Sequence, residues 1–334
     1  MLNNPLVEQD KIVPVLGPDG IPAVDRPNCT VASQVDFMSP NEAIISVEIN
    51  GEVRGYPVQI LTWHELANDT VGGVPVTVAY CPLCNSALTY DRRIGDRILD
   101  FGTSGSLHQS SLVMYDRQTQ TLWTHFDGKA VAGELVGTQL EFYSTAIVSW
   151  EAFLQANPDA LVLNQETGNP RDYGRNPYQG YETSSDVLSA AFITGDIDPR
   201  LAAKEKVVGI WSGDTGIAVL HDELRSSGVV RVELEGQPLT VWNLPGAASA
   251  LDANRVDEGI DVGSTGVFIP VVDGTELTFE RTDDGFVDAQ TGSMWNIFGT
   301  AVAGELAGSK LEAQPFLDTF WFAWGTFVEG SAIA

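Results

Sequence analysis

Short runs of β-branched and aromatic residues, partly alternating with polar ones and closed by Gly, Asn or Asp, recur along the chain: "EAIISVEI", "VPVTVAY", "RILDFG" and "RVELEG". Alternation lays one face of an extended segment on a core and turns the other to solvent, so these runs predict strands. "ELTFE" after "VDG" predicts a hairpin arm. "STAIVSWEAFLQANP" predicts a helix with Ser144 as N-cap, stopped before Pro158. The expected fold class is mainly β, a β-rich α+β chain with about one helix in each half.

The pattern also repeats. "DRQTQTLWTHFDGKAVAGELVGTQLE" (116–141) returns as "DAQTGSMWNIFGTAVAGELAGSKLE" (288–312) with a deletion at Asp127, and 15 of the 25 paired positions are identical. Similarity at a fixed offset is the mark of an internal duplication. Two tandem, similar sheet domains are therefore expected: a first repeat over 20–165, a turn-rich connector over 166–200 packed on the domains through its tyrosines, and a second repeat over 201–334. Features shared by both repeats, such as Asp116 with Asp288 and Trp123 with Trp295, read first as scaffold. Reactive side chains present in one repeat only read as a site.

Composition narrows the partners. The 18 Lys and Arg against 45 Asp and Glu give a net charge of −27 over 334 residues. That charge repels phosphate backbones, so nucleic acid is excluded as an expected partner, leaving a small molecule or a protein that the sequence does not identify. No apolar run reaches the ~20 residues of a spanning helix. The aromatic stretch "FLDTFWFAWGTFV" is too short and contains Asp318. No basic segment followed by an apolar one opens the chain, so the expected location is extracytoplasmic if an export signal has been removed and cytoplasmic otherwise.

The chemistry concentrates in "AYCPLCNSALTY", residues 79–90. A structural disulfide across so short a loop stabilises little, which leaves a metal-binding turn, a redox dithiol or buried packing thiols. In a C-P-x-C turn followed by Asn, Asn85 suits a left-handed conformation that aims backbone N–H groups at the sulfurs. Aligning "YCPLCNSAL" with "NLPGAASAL" (243–251) keeps the turn and replaces Cys81 and Cys84 by Leu244 and Ala247. His64, His108 and His125 also lack counterparts. A metal site would need His64, His108, His125, Met114 or a carboxylate to complete it, and a mixed thiolate, imidazole and thioether set suits copper as well as zinc. The bland readings are a hydrogen-bonded core His64, a surface His108, and Met114 filling the core as Phe286 does.

"INGEVRGYPVQILTWHELANDTVGGVPVTVAYCPLCNSALTYDR", "FGTSGSLHQSSLVMYDRQTQTLW" and "RDYGRNPYQGY" closely resemble the DUF3179 family, a domain of unknown function, over residues 20–185. The second repeat reads as a degenerate copy. Among the residues on the family's pattern are Arg54, Tyr56, His64, Glu65, Asp69, Cys81, Cys84, Met114, Asp116 and Trp123. His108, Gln109 and His125 depart from it, so the resemblance implies His64, Cys81 and Cys84 as the firmest trio. Many members look exported or membrane-anchored, which implies an extracytoplasmic protein. The leading expectation is copper, or less favourably zinc or no metal, bound by Cys81, Cys84 and His64 with His108, and Glu65, Asp69, Asp116 and Met114 supporting those ligands. The alternatives are a thiol-disulfide oxidoreductase using Cys81 and Cys84 with His64 as base, and a non-catalytic interaction module.

Overall fold

In a computed structural model, residues 5–184, 197–213 and 215–334 are described, so the part of the expected connector at 185–196 lies outside them. The fold is β-rich, with strands throughout and four short α-helices among the described residues. "EAIISVEI" forms the strand Ala43–Ile49 and "VPVTVAY" the strand Val74–Cys81, but both are buried on nearly every residue, so neither turns the solvent face that alternation predicts. "RILDFG" instead divides into a small Arg93–Ile94/Arg97–Ile98 hairpin and the start of the strand Phe101–His108. The expected helix begins later than its cap signal: Thr145–Ser149 is a strand, and the helix is Trp150–Ala156. Thr145, Ile147 and Val148 are β-branched and pair with Ala43–Ile49, while Ser149 supplies the cap by accepting Ala152 N–H at 3.2 Å.

Each half carries two helices rather than one. Val58–His64 was hidden because almost every one of its residues is buried, leaving no polar face to reveal a helical period. Its partner in the second half is His221–Ser227. The stretch "FLDTFWFAWGTFV" divides into the strand Leu317–Phe320 and the seven-residue helix Trp321–Phe327. No helix among the described residues is long and apolar enough to cross a membrane.

Three sheet arrangements occur in both halves. Strands Thr145–Ser149, Ala43–Ile49, Glu52–Pro57 and Leu161–Leu163 lie in the same order as Leu317–Phe320, Lys206–Ser212, Thr215–Leu220 and Ala332–Ile333. The hairpins around the two "AVAGEL" runs share register: Phe101 faces Asp116 as Phe279 faces Asp288, and Met114 faces Trp123 as Phe286 faces Trp295. Both tryptophans donate Nε1–H to the aspartate at 3.0 Å. The halves pack reciprocally, Thr145–Ser149 against Ser264–Ile269 and Leu317–Phe320 against Ser86–Asp91. One core cluster consequently mixes Cys81, Cys84 and Trp123 with Leu317, Phe320 and Trp324.

The register corrects one alignment. Cys81 faces Ser86, and in the second half Leu244 faces Ser264. The tight turn 82–85 is therefore matched by the long loop 245–263, and the second half does not keep the turn.

Candidate functional site

The dithiol turn follows from its residues. Val74–Cys81 and Ser86–Asp91 are neighbouring antiparallel strands, and four residues must reverse the chain. Pro82 fixes its own φ, and Asn85 takes φ 52° as its short polar side chain permits. Asn85 N–H bonds Pro82 O at 3.3 Å, and its Oδ1 accepts Tyr80 O–H at 3.1 Å. Both thiols are free, with Cys81 1% and Cys84 0% exposed.

Their surroundings differ. Ser86 Oγ donates to Cys84 Sγ at 3.3 Å, and Ser111 Oγ lies 3.5 Å away. Burial alone would raise the Cys84 thiol, but hydrogen bonds from Cys81, Ser111, Ser86 and its own backbone N–H outweigh burial and hold it below its ordinary value. Cys81 is pushed well above its ordinary value by burial and by the hydrogen bond it gives to Cys84. Of the two thiols, Cys84 is therefore the readier to give up its proton and Cys81 the readier to keep it.

Two further groups complete the surroundings. His125 Nε2 lies 3.0 Å from Ser86 Oγ, while its Nδ1 is buried without a hydrogen-bond partner. Burial lowers the His125 pKa to about 3, so the ring stays neutral and orients Ser86 instead of taking its proton. Beside Cys81, burial pushes the Glu65 carboxyl up to about 8 against a hydrogen bond from Tyr178, and ionisation of the Cys81 thiol would push it the same way. Glu65 also sits at φ 60°, at the C-terminal cap of Val58–His64, where the matching helix of the second half ends on Gly228 at φ 79°. Glycine occupies such positions without steric cost, and a side chain costs about 1 kcal/mol there. Keeping a buried carboxyl at a strained position is a signature of sites rather than of scaffolds.

The other expected site residues are placed elsewhere in the fold. His64 Nδ1 bonds Pro22 O at 2.7 Å and Nε2 bonds Tyr173 O–H at 2.6 Å, so both ring nitrogens are engaged with groups other than the thiols. His108 is at the end of Phe101–His108, its Nδ1 3.0 Å from Lys11 O. Asp69 accepts from Arg54 Nη1 at 2.9 Å and Tyr56 O–H at 2.8 Å. Asp116 closes the turn after its strand on Thr119 and Trp123, as Asp288 does on Thr291 and Trp295. Met114 is buried in the same core cluster as the two cysteines. None of these three holds an imidazole. Among the described residues no group of three or more His, Cys, Asp or Glu is disposed to hold a metal ion.

Ser86 and Ser111, which sequence reasoning passed over, supply the surroundings together with His125, named there as a possible ligand, and the connector tyrosines. Tyr173 bonds His64, Tyr178 bonds Glu65, and Tyr181 O–H donates to Leu83 O at 2.7 Å. The repeated tyrosine in "RDYGRNPYQGY" is the sequence signal for these contacts.

A family model described as "Protein of unknown function (DUF3179)" matches residues 18–331, thus extending over both halves, well past the first-half segments that carry the resemblance. No curated protein and no solved structure matches.

Proposed function

The chain belongs to the DUF3179 family, and we propose that in this member Cys81 and Cys84 form a buried dithiol that cycles to a disulfide. The observation that carries this reading is the unequal, hydrogen-bonded pair: Cys84 receives donors that stabilise a thiolate, and Cys81 retains the proton. These roles reverse those expected from sequence, where Cys81 attacks and His64 is the base. With both sulfurs covered, the fitting oxidant is a low-molecular-weight disulfide rather than a protein surface.

Cys84 thiolate attacks one sulfur of that disulfide, and the other sulfur leaves as a thiolate. Cys81 then passes its proton to the departed thiolate and attacks the Cys84 sulfur, releasing the second thiolate. Two electrons pass from the cysteines to the oxidant, which becomes one thiol and one thiolate, and the thiolate takes its proton from solvent. Glu65 adjoins Cys81 with a pKa of about 8 and is the titrating neighbour of the attacking step.

The test equilibrates full-length protein in glutathione redox buffers, unfolds it in acid, alkylates it and measures intact mass. The expected result is a wild-type transition in which two alkylation sites vanish together, absent in Cys81→Ser and Cys84→Ser. Three alkylatable thiols at every potential would refute the dithiol. Copper or zinc bound stoichiometrically by wild type and lost in Cys81→Ala would favour the metal reading, which rests on the same two sulfurs but lacks a third ligand among the described residues.

A further inference from the structure

The second half departs from the first most at the loop 245–263, which stands where residues 82–85 make a tight turn. Long connections inside a compact fold are uncommon and usually carry function. This one folds onto the first half and the connector: Ala248 N–H bonds Asn41 O at 2.7 Å, Asn41 Nδ2 bonds Asp257 O at 2.8 Å, and Val256 N–H bonds Gly174 O of the connector at 3.0 Å. Between loop and halves it lines a partly open cavity in which water-sized molecules can be centred over ≈ 40 Å³. That is room for two or three waters or a solute of a few heavy atoms.

Its lining combines polar residues, Lys206, Asp318, His221 and Asn85, with apolar ones, Ala43, Val58 and Ile147. Lys206 Nζ reaches Glu182 at 2.5 Å, and the other Glu182 oxygen accepts Ser249 O–H, so that carboxylate is fully engaged. Asp318 accepts Thr265 O–H at 3.0 Å through one oxygen, and its second has no hydrogen-bond partner among the described residues. Burial holds the Asp318 carboxyl up to about 7 against Thr265 and Lys206, so below neutrality it offers an O–H. Burial keeps His221 neutral, with a pKa of about 3. Asn85 engages its carbonyl with Tyr80, and its amide N–H₂ has no partner among the described residues. The lining is thus richer in donors than in acceptors. A cation would meet the Lys206 ammonium, whereas an anion's oxygens meet that one charged donor, which Glu182 also engages, and the neutral Asn85 amide.

We propose that this cavity, at the seam of the two halves, binds a short-chain monocarboxylate of about acetate size, its oxygens on Lys206 and Asn85 and its methyl end against Ala43, Val58 and Ile147. The site adjoins the dithiol turn through Asn85 and Thr319, but its binding does not use the sulfurs. Calorimetric titration of full-length protein at pH 6 with acetate, and with acetamide as the neutral isostere at matched ionic strength, tests it. Saturable acetate binding is expected, at least tenfold tighter than acetamide and at least tenfold weakened in Lys206→Gln and in Ala248→Val, which fills the cavity without removing charge. Should Lys206→Gln fail to fold, Ala248→Val with cooperative thermal unfolding carries the comparison. No saturable acetate heat, equal binding of acetamide, or undiminished binding by folded Ala248→Val would overturn the proposal.

Discussion

Replacing Glu65 by glutamine should stabilise the protein, and increasingly so as pH rises. The Glu65 carboxyl ordinarily titrates near 4.5 and is raised to about 8 in the fold. Between those values the unfolded chain is ionised while the folded chain keeps its proton, so the folded state binds more protons and stability falls as pH rises. Each pH unit in that window costs about 1.36 kcal/mol. At pH 7 the accumulated loss is about 3 kcal/mol, and above pH 8 it levels off near 5 kcal/mol. Glutamine has the same shape and never ionises, so Glu65→Gln avoids the loss while keeping a polar partner for Tyr178. For 334 residues unfolding with about 2 cal/mol/K per residue, 3 kcal/mol is a Tm difference of about 4 °C. Asp318, raised to about 7, lowers both proteins alike and cancels in the comparison. Thermal unfolding of both proteins from pH 4 to pH 9 is the assay. The curves should converge near pH 4 and separate steadily up to pH 8; parallel curves would refute the assignment of a buried, proton-holding carboxyl beside Cys81.

Asp116→Asn and Asp288→Asn should each cost roughly 2 kcal/mol in chemical denaturation, because each aspartate accepts from a buried tryptophan and closes a turn, and unequal costs would separate the two hairpins in role. Native alkylation should reach partly exposed Cys29 before Cys81 or Cys84, with the order read by peptide mapping. Tyr181→Phe removes the donor to Leu83 O and should cost about 1 kcal/mol, seen in thermal unfolding, while speeding alkylation of the dithiol. His125→Gln can still donate to Ser86 and should leave the dithiol transition unchanged between pH 5 and pH 9, whereas His125→Ala should shift it.

Local chemistry made the strands and the turn legible. Val74–Cys81 and Ser86–Asp91 follow from β-branched and aromatic runs around a Pro-containing turn, and the left-handed Asn85 follows from its side chain. Val58–His64 was illegible because burial on all sides erases the helical period. The contrast between halves marked the two thiols, yet it also marked His64 for another reason. His64 is fastened to Pro22 and the connector residue Tyr173, and the matching helix ends on Ser227. A residue found in one half only can therefore serve attachment as well as chemistry. Ser111 reaches Cys84 from a different sheet, a pairing that no local spacing encodes. Glu65 was visible only as a neighbour of His64. Its strained backbone emerges from the comparison with Gly228.

The most direct test is the intact-mass redox titration of wild type beside Cys84→Ser. A dithiol predicts that wild type loses two alkylatable thiols in one two-electron step under glutathione disulfide, while Cys84→Ser shows no such step. Wild type that keeps all three thiols alkylatable in the most oxidising buffer would contradict it.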